Sequence, residues 1–333
     1  MKKIKALLSC LLLILLLISV AIFAKGLPNG TTVFLSNSEG VLYALTDDSL
    51  TGWTLLLPFG NKAERVYTTI EVGLDGQIYA CDVCGGKILR ISYPGWHVET
   101  VYDSYAQPAS ICTVDVCDPY AGWLNPSDAT LSEEGMLYFV TTGKKCDLES
   151  GKSQGVWSIL PLAPETIPEK LLNGTVLTEE EPRTGVPIAR IRILTEGSLA
   201  GNLVITGILD EHGEPRTMIS AGPDFSEFVL HPASDVLDRA AQTLIRPDGS
   251  LIWTSPGDSS FHLYLISTDE VFDFGSPYAL DAVAFDLDKH DYLYILTRGT
   301  RKNELIILDP AGAVAYKQVI HFDPVAIGVF EAP

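Results

Sequence analysis

Short apolar runs separated by turn residues recur along this chain, and no run after residue 24 has the length or period of a core helix. Val33-Phe34-Leu35-Ser36-Asn37-Ser38-Glu39-Gly40-Val41-Leu42-Tyr43-Ala44-Leu45 aligns without a gap with Tyr79-Ala80-Cys81-Asp82-Val83-Cys84-Gly85-Gly86-Lys87-Ile88-Leu89-Arg90-Ile91. Related strand–turn–strand phrases follow at Gly135-Met136-Leu137-Tyr138-Phe139, Gly201-Asn202-Leu203-Val204-Ile205, Gly249-Ser250-Leu251-Ile252-Trp253 and Tyr292-Leu293-Tyr294-Ile295. A unit of four short strands repeating every ~40–50 residues is the pattern of a β-propeller. The chain therefore reads as all-β, a six-bladed propeller of four-stranded antiparallel blades.

The first unit lacks an innermost strand, because its phrase starts at Val33. Asp323-Pro324-Val325-Ala326-Ile327-Gly328-Val329 follows the last strand of unit six and has no partner there. Placing this C-terminal strand inside the N-terminal blade closes the ring and removes the unpaired edges. Asp75-Gly76 and Asp248-Gly249 read as hairpin turns with positive φ at both central residues. Asp286, Asp288, His290 and Asp291 also fall where a hairpin turn belongs, and a turn is preferred there to a cation site.

The chain opens Met1-Lys2-Lys3-Ile4-Lys5 and runs apolar from Ala6 to Ala24, the pattern of an export signal that is also just long enough to anchor in a bilayer. Residues 1–24 are assigned as a signal peptide or N-terminal membrane anchor, and residues 25–333 as one propeller domain. Either way the domain lies outside the cytoplasm, periplasmic, extracellular or anchored, and touches membrane only through a retained leader. The formal charge is −19, or −22 without the three leader lysines. Such a surface repels phosphate backbones, which excludes nucleic acid as a partner.

In a four-stranded blade the loops joining second to third strands emerge on the same face as the crossings between blades. Cys81, Cys84, Cys112, Cys117 and Cys146 all fall in such segments and read as candidates for disulfide stapling of the loops on that face. Five thiols leave one over, so the connectivity stays open. The same face holds the channel mouth, where the innermost strands begin. Alignment on the repeated phrase puts Ala326, Thr69, Asp128, Arg190, Gln242 and Asp281 there. Asp128, Arg190, Gln242 and Asp281 are the candidate ligand-binding residues. Asp128 and Asp281 are candidate ligands for a divalent cation such as calcium.

Asn125-Pro126-Ser127-Asp128-Ala129 resembles the Pro-Asn-Asp strand start of the gluconolactonase-like (senescence marker) family of six-bladed propellers. Asp75-Gly76-Gln77-Ile78-Tyr79 resembles the phrase of the related NHL-repeat propellers. The first resemblance implies a divalent metal at the channel mouth and lactone opening. The position matching the family's metal-binding Asn is Ser127, and the other ligands have no clear counterpart. The primary reading is thus an exported module binding a protein or a small polar ligand through the loop-rich, cysteine-bearing face. The alternative is a metal-dependent lactonase or related hydrolase acting at the mouth.

Overall fold

In the computed structural model, the described residues are 27–46, 54–57, 67–73, 75–92, 95–106, 111–112, 117–118, 125–141, 155–159, 168–173, 189–209, 215–222, 224–225, 227–233, 237, 242–255 and 257–331. They form six four-stranded antiparallel sheets and one two-stranded ribbon. In each blade the strands follow one another outward in chain order, except in the first. Blade one runs Pro324–Phe330, Thr32–Asn37, Leu42–Leu45 and Thr54–Leu57 from the inside out. The tail pairs antiparallel with the first strand, with Val33 opposite Val329 and Leu35 opposite Ile327. The predicted ring closure is therefore observed.

The innermost strands of the other blades are Tyr67–Val72, Pro126–Leu131, Arg190–Ile193, Gln242–Ile245 and Ala282–Leu287, blades two to six in turn. Each packs against the next around the ring, and Pro324–Phe330 packs against both Tyr67–Val72 and Ala282–Leu287. This cyclic adjacency is the propeller. Sheets stack face to face through apolar side chains. The interface of blades six and one, for example, buries Val33, Leu35, Tyr294, Leu296, Ile307 and Val329. Alternation along each strand supplies both faces of every sheet, which is why such short apolar phrases suffice.

Polar side chains on the inner strands tie neighbouring blades together. Ser36 Oγ donates to the Tyr67 carbonyl at 3.0 Å and accepts the Ala326 N–H at 3.1 Å, joining tail, first blade and second. Thr68 and Thr69 hydroxyls both donate to the Ser127 carbonyl, at 2.8 and 2.9 Å. Buried backbone groups at blade boundaries have no ladder partner across the gap, so side chains satisfy them.

The turns leading from first to second strands share one device. Arg246 N–H donates to the Ser250 carbonyl at 2.8 Å and Gly249 N–H to the Arg246 carbonyl at 3.0 Å. Only the fourth residue is left-handed, Gly249 at φ +90°, Gly76 at +71° and Asp291 at +61°; Asp75 and Asp248 are not. The expected pair of positive-φ residues is thus corrected. Asp75 and Asp248 act by accepting the N–H two residues on, Gln77 at 3.0 Å and Ser250 at 2.9 Å, which holds a turn of the other hand. Asp288 does the same for His290, so the blade-six run from Asp288 to Asp291 is a turn as predicted; Asp286, expected in that turn, instead lies on the inner strand Ala282–Leu287.

No helix among the described residues is long and apolar enough to cross a membrane. The leader assignment at residues 1–24 lies outside the described residues.

Candidate functional site

A cavity in the channel is lined by charged residues from four inner strands: Glu71, Asp128, Arg190, Arg192 and Asp286. Of the predicted mouth set, Asp128 and Arg190 line it; Gln242 and Asp281 do not. Asp281 is exposed in the turn preceding the blade-six strand, where its carbonyl accepts the Arg298 N–H at 2.8 Å. The registers explain the slip. Leu131 pairs with Leu137 and Leu287 with Leu293, so the blade-six counterpart of Asp128 is Ala284, three residues beyond Asp281. The structure thus does not bring together the Asp128–Asp281 pair predicted to hold a divalent cation.

Glu71 and Arg192 were not among the expected site residues, and Asp286 was expected in a turn rather than on an inner strand. Each lies two residues before its hairpin turn, at Gly73, Leu194 and Asp288, just as Thr130 precedes Ser132. Counting back from the first residue of each turn would have found this ring, because the last inner-strand residues keep a fixed spacing to that point even where the turn itself is longer, as between Leu194 and Asn202 in blade four.

The charges are tightly engaged. Arg192 Nη2 lies 3.3 Å from Glu71 Oε1, and its Nη1 donates to the Ile245 carbonyl at 2.6 Å. One guanidinium therefore links blades two, four and five. Asp128 accepts the Ile191 N–H at 2.9 Å and the Ala129 N–H at 3.0 Å. Asp286 accepts the Val329 N–H at 2.8 Å and the Leu287 N–H at 2.8 Å. Each aspartate joins its blade to the next through a backbone N–H.

Burial dominates their titration. Removal from water pushes Asp128 up to about 7, assisted by the charge of Glu71 and opposed by Arg190 and the Ile191 N–H. Asp286 is likewise pushed up to about 7 by burial and by Glu71, against Arg192 and the bonds from Val329 and Leu287. The cavity admits only ≈ 30 Å³ to water-sized solutes. Organic ligands occupy pockets of ~300–1,000 Å³, so this volume suits water.

Ser127, at the position matching the family's metal-binding Asn, is fully buried, and its hydroxyl lies 3.1 Å from the Val140 carbonyl and 3.2 Å from the Ala189 carbonyl. It fastens blade three to the chain entering blade four. Among the described residues no three His, Cys, Asp or Glu side chains are grouped to hold a metal ion. Two arginines in the same lining oppose a divalent cation electrostatically.

Cys81 is a free, buried thiol packed with Val101, Phe139 and Ala129 in the core between blades two and three. It leaves the set of disulfide candidates, because its side chain points into the sheet interface rather than onto the loop face. Burial and the nearby Asp128 carboxylate raise its pKa well above that of an ordinary thiol. Cys84, in the turn beyond, is disulfide-bonded. Cys112 and Cys117 face each other across the ribbon in the crossing from blade two to three. Their side chains, and Cys146, lie outside the described residues.

No family model matches this sequence, and no curated protein does. Solved structures share the fold. A chain of the nidogen/laminin complex aligns over 91% of this chain and 99% of its own, with 15% identity and a TM-score of 0.60. TolB from Acinetobacter baumannii aligns over 90% of this chain and 66% of its own, with 12% identity and a TM-score of 0.55. A protein of unknown function from Bacteroides caccae aligns over 91% of this chain and all of its own, with 8% identity and a TM-score of 0.53. The class this fold defines is the β-propeller.

Proposed function

We propose that this chain is an exported interaction module that engages a protein partner through its loop-rich, cysteine-bearing face, with the channel serving as the structural axis. The observation carrying this reading is the state of the channel. Its space is ≈ 30 Å³, and both channel aspartates spend their oxygens on backbone N–H groups. A lactonase needs room for a sugar ring and free carboxylate oxygens to hold a metal. The proposed face, by contrast, carries an added ribbon at Ile111–Cys112 and Cys117–Asp118 in one crossing. A propeller of similar fold forms part of the nidogen/laminin complex, and that precedent for protein contact supports the reading.

The test combines activity and placement. Purified protein assayed with δ-gluconolactone, with and without a chelator and added divalent metal, is expected to give no metal-dependent turnover. A photo-reactive amino acid at Glu39 or Gly85, both in second-to-third-strand loops, is expected to capture a protein partner in the producing cell. The same group at Ala311, on the opposite turns, is expected to capture none. Chelator-sensitive lactone opening abolished by Asp128→Asn would overturn the proposal, as would protein capture from Ala311 alone.

A further inference from the structure

A second cavity, of ≈ 420 Å³, opens between blades five and six beside the turns at residues 246–249 and 309–312. Its volume falls within the ~300–1,000 Å³ of small-molecule sites, more than ten times that of the channel. Blade five lines it with Ile252, Leu263 and Phe274, and blade six with Leu287, Leu293 and Leu308. Leu263, Phe274 and Leu287 remain partly exposed at the edge of a core whose deeper members are sealed. Apolar surface left open in a concavity, when the sheets around it are closely packed, is the mark of a space with an occupant.

Polar groups sit at the rim. Arg246 pairs through Nη2 with Asp291 Oδ1 at 2.9 Å, and its Nε is buried with no hydrogen-bond partner. Nε is enclosed and out of a ligand's reach, but the side chain keeps 26% of its surface exposed at the rim, where the outer N–H groups can meet an acceptor. Asp309 also lines the cavity, with Oδ1 accepting the Ala311 and Ala313 N–H groups at 3.0 and 2.8 Å. One guanidinium is thus set against two carboxylates, a balance that rejects an anionic head group and accepts an uncharged one.

We propose that this cavity binds a neutral, mostly apolar small molecule with a carbonyl-type acceptor at one end, its body between Leu263, Phe274 and Leu287 and its acceptor on Arg246. The site lies on the face opposite the cysteine-bearing loops, and it does not depend on the partner-binding reading.

Nile red, a neutral fluorophore with a carbonyl acceptor, serves as the probe on the full domain. The expected result is saturable one-site binding with a blue-shifted emission. Ala311→Trp, at an exposed rim position, should abolish it without disturbing the core. Arg246→Met should weaken it about tenfold, the loss of one charge-assisted hydrogen bond. Methyl decanoate should displace the probe more strongly than decanoate. Absence of saturable binding, binding unchanged in a folded Ala311→Trp protein, or stronger displacement by the carboxylate would each overturn the proposal.

Discussion

Replacing Asp286 by Asn should stabilise the protein at pH 8 and do little or slight harm at pH 5. The carboxyl lines the narrow channel, where the residue is only partly accessible, and it holds its proton up to about 7, against 3.8 for an ordinary aspartate. That displacement corresponds to about 4 kcal/mol of disfavour for the ionised form in the folded state. The sign follows from proton counting. Between pH 3.8 and 7 the folded chain keeps a proton that the unfolded chain has lost, so stability falls as pH rises through this window. Below 3.8 both states are protonated and the penalty vanishes; above 7 it is present in full. Asn carries no charge and escapes it. Asn also has one carbonyl oxygen where the carboxylate uses two, for Val329 and Leu287, a cost of about 1–3 kcal/mol at any pH. The net expectation is a gain of about 1–3 kcal/mol at pH 8, and a difference within about 1 kcal/mol of zero at pH 5, where somewhat over a third of the penalty has developed. Urea unfolding of both proteins at pH 5, 6, 7 and 8 measures the difference directly. A difference that stays constant with pH, or a variant that is worse at pH 8 than at pH 5, would refute the buried-proton argument.

Further outcomes follow from single contacts. Gly328→Ala should destabilise by about 3 kcal/mol or more, since a Cβ there would lie 2.5 Å from the Ile70 carbonyl oxygen and 2.7 Å from its Cγ2; thermal unfolding reports it. Ser36→Ala should cost about 1–3 kcal/mol, because the Ala326 N–H loses its acceptor inside the closing blade. Cys81 should resist a thiol reagent at pH 8 in the folded protein and react on unfolding, given its burial and raised pKa. His262 lies 2.6 Å from Asp273 and 2.7 Å from Asp258. Burial opposes its charge, the two carboxylates outweigh that, and its NMR titration should fall above 6.5, moving down in Asp273→Asn.

Most of the architecture was legible in the chain. Alternating four-to-six-residue apolar phrases dictate two-faced strands, and the lone phrase at residues 323–329 could only pair with the incomplete first unit. The channel was legible only in part. Asp128 was found because its strand leads into a turn without an insertion; Arg190 was placed correctly although the blade-four turn is longer, from Leu194 to Asn202, whereas the Ser276–Asp281 turn before blade six shifted the alignment and put Asp281 where Ala284 sits. Burial was the second obstacle: Ser127 and Asp128 fit the residue types of a ligand site, yet both are spent on carbonyl and N–H groups between blades. Whether a polar residue on an inner strand serves a ligand or its neighbouring backbone depends on the blade spacing, which residue type alone does not encode.

The closure of the ring is what every later inference stands on, and removal of the tail tests it. A chain ending at Asp323 loses the strand that buries Ala326, Ile327, Val329 and Phe330 and lies between blades six and two. It should show no cooperative thermal transition, and adding a synthetic peptide of residues 323–333 should restore one. A truncated chain that melts cooperatively at the temperature of the intact protein would contradict the account.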